Sequence, residues 1–207
     1  PNETGDGFIF TTDLAESDPE QVDEEGKVWN IKIHEDAKWQ NGDAITIDDV
    51  IYSWKMCLDP LLVNSRASQM ASDYITIVNA KEYSLQGSAN TVAWEDVGIK
   101  KIDEYTVQII CTDPVTAIDV KNHVNYTWNE LVHEGTYEAC MNEDRTATTY
   151  GSTGDKFMSC GPYILKEWIQ GSQFTLERNP DYIHADEVKL EGMVYKIVGD
   201  RNTALEL

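Results

Sequence analysis

Lys38-Trp39-Gln40-Asn41-Gly42-Asp43-Ala44-Ile45-Thr46-Ile47-Asp48-Asp49-Val50-Ile51-Tyr52-Ser53-Trp54-Lys55 reads as a strand end, a tight turn and the start of an amphipathic helix. Asn41-Gly42-Asp43 is turn chemistry, because Gly tolerates positive φ and Asn or Asp can bond their own backbone. Thr46 is a good N-cap, and Asp49 three residues later makes a variant capping box with Asp in place of Glu. Asp48 and Asp49 also set negative charge in the first turn, where the helix dipole favours it. Val50, Ile51, Trp54, Cys57 and Leu58 recur with helical spacing on one face, and Pro60 stops the helix.

Working outward, Val28 to Ile33 alternates. Trp29, Ile31 and Ile33 share one face, which makes a half-buried strand. Residues 64–72 are mostly polar or small and read as a loop, and Asp73 to Gln86 reads as a helix through Tyr74, Ile77, Val78 and Lys81. Val97 to Ile102 and Tyr105 to Thr112 form a hairpin about Asp103-Glu104, with Val107, Ile109 and Cys111 on one face. Thr116 to Leu131 is helix and loop, and Asn142 to Gly154 is a polar loop rich in Thr, Ser and Gly. Tyr163 to Trp168 and Gln173 to Arg178 form a second hairpin turning at Gln170-Gly171-Ser172, with a further strand from about Met193 to Val198.

The wording of the opening stretch resembles the signature of the extracytoplasmic solute-binding proteins of family 5, the peptide-, dipeptide- and nickel-binding receptors of ABC importers. Lys38, Trp39, Gly42, Thr46, Asp49, Val50, Tyr52, Ser53 and Trp54 match it, while Gln40, Asn41 and Ile47 depart mildly. Five further segments resemble family segments in the same order: Trp29 to Ile33; Val78-Asn79-Ala80-Lys81-Glu82-Tyr83; Val97 to Lys100 with Asp103 to Val107; Cys160-Gly161-Pro162-Tyr163-Ile164-Leu165-Lys166-Glu167-Trp168; and Leu176-Glu177-Arg178-Asn179-Pro180-Asp181-Tyr182, where Ile183 replaces the usual last aromatic. Six such segments in order over roughly residues 28–200 make chance agreement improbable. The resemblance implies an α/β fold of the periplasmic-binding-protein-like type II, peptide-binding class, here a fragment with a mixed sheet, flanking helices and hairpins. It also implies that residues 1–155 form a smaller α/β domain inserted in the first lobe and that 156–207 return to that lobe. Family members are typically more than twice as long, so the chain reads as an N-terminal piece. The last residues, Asp200 to Leu207, read as a helix that has just begun, and Pro1 to Asp6 is polar and acidic, unlike a signal peptide.

Composition narrows function. The 207 residues carry 37 acidic and 16 basic side chains, a net charge of −21. That argues against nucleic-acid binding, which needs cationic patches to neutralise phosphate, and against docking on anionic lipid. No apolar run is long enough to span a bilayer. An acidic surface can attract cationic peptides, although keeping a protein soluble explains it more simply. Of the four cysteines, Cys57 and Cys111 fall on inward phases and read as core, whereas Cys140 and Cys160 flank the polar loop and leave a disulfide open.

Catalysis finds no foothold. Ser53, Ser68 and Ser159 lack a nucleophile-elbow context. His34, His123, His133 and His184 are scattered, and His123 and His133 stand too far apart to share a helix face as metal ligands. Asp48-Asp49 is explained by helix-end charge, and no calcium loop is evident. The expectation is therefore a binding protein with no catalytic residue, no metal and no cofactor. Peptide receptors hold the ligand backbone by hydrogen bonds between two closing lobes and leave hydrated pockets for side chains. The cleft-facing candidates are Arg66 for a carboxylate, with Ser68, Gln69 and Met70 in the same loop, which matches by position the family segment beside bound peptide. Asn125 and Tyr126, with Thr127, are a second candidate group. Trp39 and Trp54 read as core, and Gly161-Pro162 as the crossing between domains.

By resemblance, the chain is the substrate-binding component of an ABC importer that takes up peptides (oligopeptide first, dipeptide next). Its partners are a peptide ligand and permease subunits. It sits in the periplasm or on the extracellular face of the cell membrane, touching membrane only through an upstream lipid anchor. The alternatives are a peptide-sensing or adhesion module without transport, a nickel- or heme-binding receptor of the same family, and, as a distant third, a hydrolase.

Overall fold

The computed structural model describes residues 9–126 and 129–199. The helix start read at Asp200 to Leu207 and the acidic Pro1 to Asp6 lie outside them. Strands β1 (Glu20–Gln21), β2 (Val28–Lys32), β3 (Ile99–Lys101) and β4 (Thr106–Ile110) form one sheet in the order β1-β2-β4-β3. At its centre Trp29 faces Ile109 and Ile31 faces Val107, so the alternation seen in the sequence puts both apolar rows on one buried face. Against it packs α1 (Ile47–Leu58), burying Ile47, Val50, Trp54, Cys57 and Leu58. The helix begins as its sequence dictates: the Thr46 N–H donates to the Asp49 carboxylate at 2.9 Å, and the Thr46 hydroxyl accepts from the Asp48 N–H at 3.3 Å. Gly42, at φ +90°, supplies the turn before it.

The helix expected over Asp73 to Gln86 shrinks to Ala80–Leu85, after a short helix at Ala67–Ala71 where a loop was expected; we label these α3 and α2. The residues before α3 run extended instead. Ile77 bridges Cys111, the Val78 N–H donates to the Ile110 carbonyl and the Gly98 N–H to the Val78 carbonyl, so this segment extends the pairing of the β3–β4 hairpin. The buried side chains there are Ile75 and Ile77, a period of two that the looser helical spacing of Tyr74, Ile77 and Lys81 concealed. Asn79, at φ +57°, turns the chain into α3 while its side chain donates to the Asp96 carbonyl.

Further on lie α4 (Ala117–Val124), which opens with a Thr116–Asp119 capping box, and α5 (Glu134–Ala139), which the sequence pattern did not announce. The polar loop after α5 is held in shape. Met141 bridges Thr148, and the Asn142 side chain accepts from the Thr146 and Ala147 N–H groups.

Strands β5 (Tyr163–Ile169), β6 (Gln173–Arg178) and β7 (Gly192–Lys196) make a second sheet, with a register shift at Lys166 and a turn carried by Gly171 at φ +72°. Phe174 stacks on Tyr195 at 4.6 Å between ring centres. The α/β class holds, but every strand pairing among the described residues is antiparallel, so these strands do not form the mixed sheet that the resemblance implied. All four cysteines are unpaired; Cys57 and Cys111 are core, as their phases indicated.

Candidate ligand-binding site

The opening motif proves to be scaffold for two cavities. Its Trp39 is fully buried and donates its indole N–H to the second oxygen of the Asp49 carboxylate at 3.2 Å. One carboxylate thus holds the helix cap and the tryptophan of the preceding turn together. The last three signature residues reach across to the chain after α4. Tyr52 OH donates to Glu138 at 2.6 Å, the Ser53 hydroxyl accepts the Val132 N–H at 2.9 Å, and the Trp54 indole donates to the Asn129 side chain at 2.6 Å. Asn129 in turn donates to the Val124 carbonyl at 2.6 Å. Trp54 therefore fixes the end of α4, beside Asn125 and Tyr126. Trp39 and Trp54 are core, as read from the sequence.

The other support of that helix end is His123, wholly buried on α4. Its Nε2 lies 3.0 Å from the Met70 carbonyl on α2. A carbonyl only accepts, so Nε2 carries the hydrogen. Burial pulls the imidazole down to about 4, despite the opposing bond to Met70 and the charge of Asp73, and the ring is neutral at physiological pH.

A groove of about 480 Å³ opens between α2, α3 and the end of α4, where Ser68, Gln69, Lys81, Asp59 and Tyr126 converge. A second cavity of about 520 Å³ lies under the segment Phe10 to Pro19. Ile31, Ile33 and Trp54 line it, with Asn125 and Tyr126 on one side and Phe157 to Gly161 on another. The ion pair of Lys121 with Asp18, at 2.7 Å, ties that segment to α4. Tyr126 lines both spaces and meets Tyr74 edge-on, 6.1 Å between ring centres.

The structure thus brings Ser68, Gln69 and Tyr126 together and sets Asn125 in the neighbouring cavity. Arg66 stands exposed outside both spaces and donates from Nη1 to the Gln69 side chain at 3.0 Å, so two of the expected ligand contacts are bonded to one another. Met70 is corrected: its side chain is 0 % exposed and belongs to the core, where it and the adjacent Ala71 are the buried residues of α2. Thr127 lies outside the described residues. Sequence reasoning passed over His123 as one of four scattered histidines; its place on the inner face of an amphipathic α4, in phase with Val120, was the available signal.

The crossing to the second sheet is equally polar and buried. Gln40 and Ser159 exchange two hydrogen bonds of 2.9 Å, the Ser159 hydroxyl donates to the Tyr163 carbonyl at 2.7 Å, and buried Asn179 donates to the Gly161 carbonyl at 2.9 Å. Gln40, a mild departure from the family wording, is thereby the residue that joins the motif to the crossing. Among the described residues no group of three or more His, Cys, Asp or Glu could hold a metal, and no helix is long and apolar enough to cross a membrane.

The model of the bacterial extracellular solute-binding proteins, family 5, matches residues 10–207. The oligopeptide-binding protein OppA of Bacillus subtilis is 28 % identical over 201 residues, spanning 93 % of this chain and 34 % of its own length. The dipeptide-binding protein DppE of the same organism is 29 % identical over 188 residues, 90 % of this chain and 31 % of its own. In structure, Listeria monocytogenes OppA bound to peptide superposes with a TM-score of 0.77 at 26 % identity, covering 96 % of this chain and 36 % of that one. The chain thus spans about a third of the length of these relatives.

Proposed function

The chain belongs to the bacterial extracellular solute-binding proteins, family 5, and from that membership we propose that it is part of the substrate-binding component of an ABC importer, one that binds oligopeptides or dipeptides outside the cytoplasmic membrane for uptake. The observation that carries the reading is the family match over residues 10–207 together with a groove in which Ser68, Gln69 and Tyr126, chosen from sequence, converge. Hydroxyl, amide and phenol side chains suit a peptide backbone, whose N–H and C=O groups need partners of either sense. Asn125 extends the polar rim into the neighbouring cavity, and Arg66, bonded to Gln69, is the candidate partner for a ligand carboxylate.

In this reading residues 1–155 are the smaller domain of the first lobe and 156–207 the returning segment, a division supported by the start of the second sheet at Tyr163. The site becomes complete when a second lobe closes on it. Permease subunits are the second partner, the periplasm or the extracellular face of the cell membrane is the location, and a lipid anchor would lie upstream. No catalytic step is assigned.

Alanine at Ser68, Gln69 and Tyr126, made singly in the whole receptor, tests the site. Each is expected to weaken binding of a tri- to pentapeptide library several-fold in calorimetry; three variants binding like the parent would remove this groove from the account.

A further inference from the structure

Ser68 and Gln69 stand on α2, and Tyr126 follows the end of α4. Nothing in the covalent chain holds these elements at a fixed separation, since α3 and the β3–β4 hairpin intervene. Among the described residues, a ring contact and a hydrogen bond span the gap besides the apolar packing of Met70, Ala71 and Val120. One is the edge-on approach of Tyr74 to Tyr126, between rings that are each partly in solvent. The other is the buried bond from His123 Nε2 to the Met70 carbonyl at 3.0 Å, and it alone of the two is shielded from water. Met70 follows Gln69 directly, and His123 lies three residues before Tyr126. This buried hydrogen bond therefore ties the backbone beside one wall of the groove to the helix that leads into the other.

We infer that His123 is a positioning residue of the ligand site: by bonding the Met70 carbonyl it sets the distance between Tyr126 and the Ser68–Gln69 wall, and with it the fit of a peptide between them. The inference rests on the peptide-binding reading. His123 itself touches no ligand, being wholly enclosed. The groups facing it fit a neutral strut. Ala67 to Ala71 of α2 carry no charge. On α4, Asp119 is engaged in capping Thr116 and Lys121 in its pair with Asp18. Asp73, in the segment after α2, favours the charged ring, but burial outweighs it.

The test compares His123→Gln, which keeps an N–H donor close to the place of Nε2, with His123→Leu, which keeps bulk and burial but cannot donate. Ile109→Val in the sheet serves as a control that perturbs the core away from the groove. In the whole receptor, titrated with an equimolar tri- to pentapeptide library, His123→Leu is expected to bind about tenfold more weakly, His123→Gln to recover to within about threefold, and Ile109→Val to bind like the parent. The backbone amide resonances of Ser68, Gln69 and Tyr126 are expected to shift together in His123→Leu and to return in His123→Gln. Leucine binding as tightly as histidine, or glutamine failing as badly as leucine, overturns the role. A parent receptor that binds none of the peptides defeats the peptide reading instead, and the three amide resonances still decide the strut: no joint shift in His123→Leu, or no return in His123→Gln, refutes it.

Discussion

Asp49 shows how much one carboxylate can organise. It caps α1 through the Thr46 N–H and takes the buried indole N–H of Trp39. Asp49→Ala removes both acceptors and leaves a buried donor without its partner, so we expect a loss of about 2–3 kcal/mol, read from urea unfolding followed by tryptophan emission. The cap was legible in sequence because capping is local; the bond to Trp39 was not, because it needs the turn at Gly42 to fold ten residues back on themselves. His123 gives a pH signature. Its folded-state value of about 4 lies below the ordinary 6.5, so between those values the unfolded chain binds the extra proton. Stability from this residue is full above about pH 6.5 and falls as pH drops toward 4, by on the order of 3 kcal/mol across the window. Thermal melts of His123→Leu are expected to lack that part of the acid slope; an unchanged slope would place the acid sensitivity elsewhere.

At the level of elements, the strongly periodic and locally capped pieces could be read directly: α1, β2, the β3–β4 hairpin and the β5–β6 hairpin all lie where their patterns put them. The segment from Asp73 could not, because its two buried isoleucines, Ile75 and Ile77, answer to a distant pairing with Cys111 and Ile110 and not to local propensity. Gly98 marks that pairing. A Cβ there would stand 2.5 Å from the Ile110 carbonyl and 3.1 Å from Val78. Gly98→Ala is expected to cost about 2 kcal/mol or more, seen as a lower melting temperature, since backbone on both sides cannot yield. The loop after α5 hangs on Arg145, whose guanidinium meets both Glu138 oxygens at 2.6 and 2.8 Å. Arg145 first and Tyr52 second hold the Glu138 carboxyl down at about 2. This link is complete above the usual carboxylate range and is lost as pH falls through about 2. Because the pair is partly solvated, Glu138→Gln is expected to speed hydrogen exchange at residues 142–148 while moving the global melting point little.

On the scale of the whole molecule, the charge of −21 argued against nucleic-acid and anionic-lipid partners, while the family wording pointed to peptides. Of the candidate residues chosen from sequence, Ser68, Gln69 and Tyr126 line one groove. Arg66 and Met70 could not be sorted in advance, because a five-residue helix is too short to show a periodicity from which its inner face could be read. The central claim is that this scaffold presents a peptide-binding face. The most direct test is calorimetry of the whole receptor against a mixed peptide library, with mass spectrometry of whatever co-purifies. The account predicts bound peptide and saturable binding that weakens when Tyr126 becomes alanine; a receptor that carries no peptide and gives no heat with any of them would contradict it.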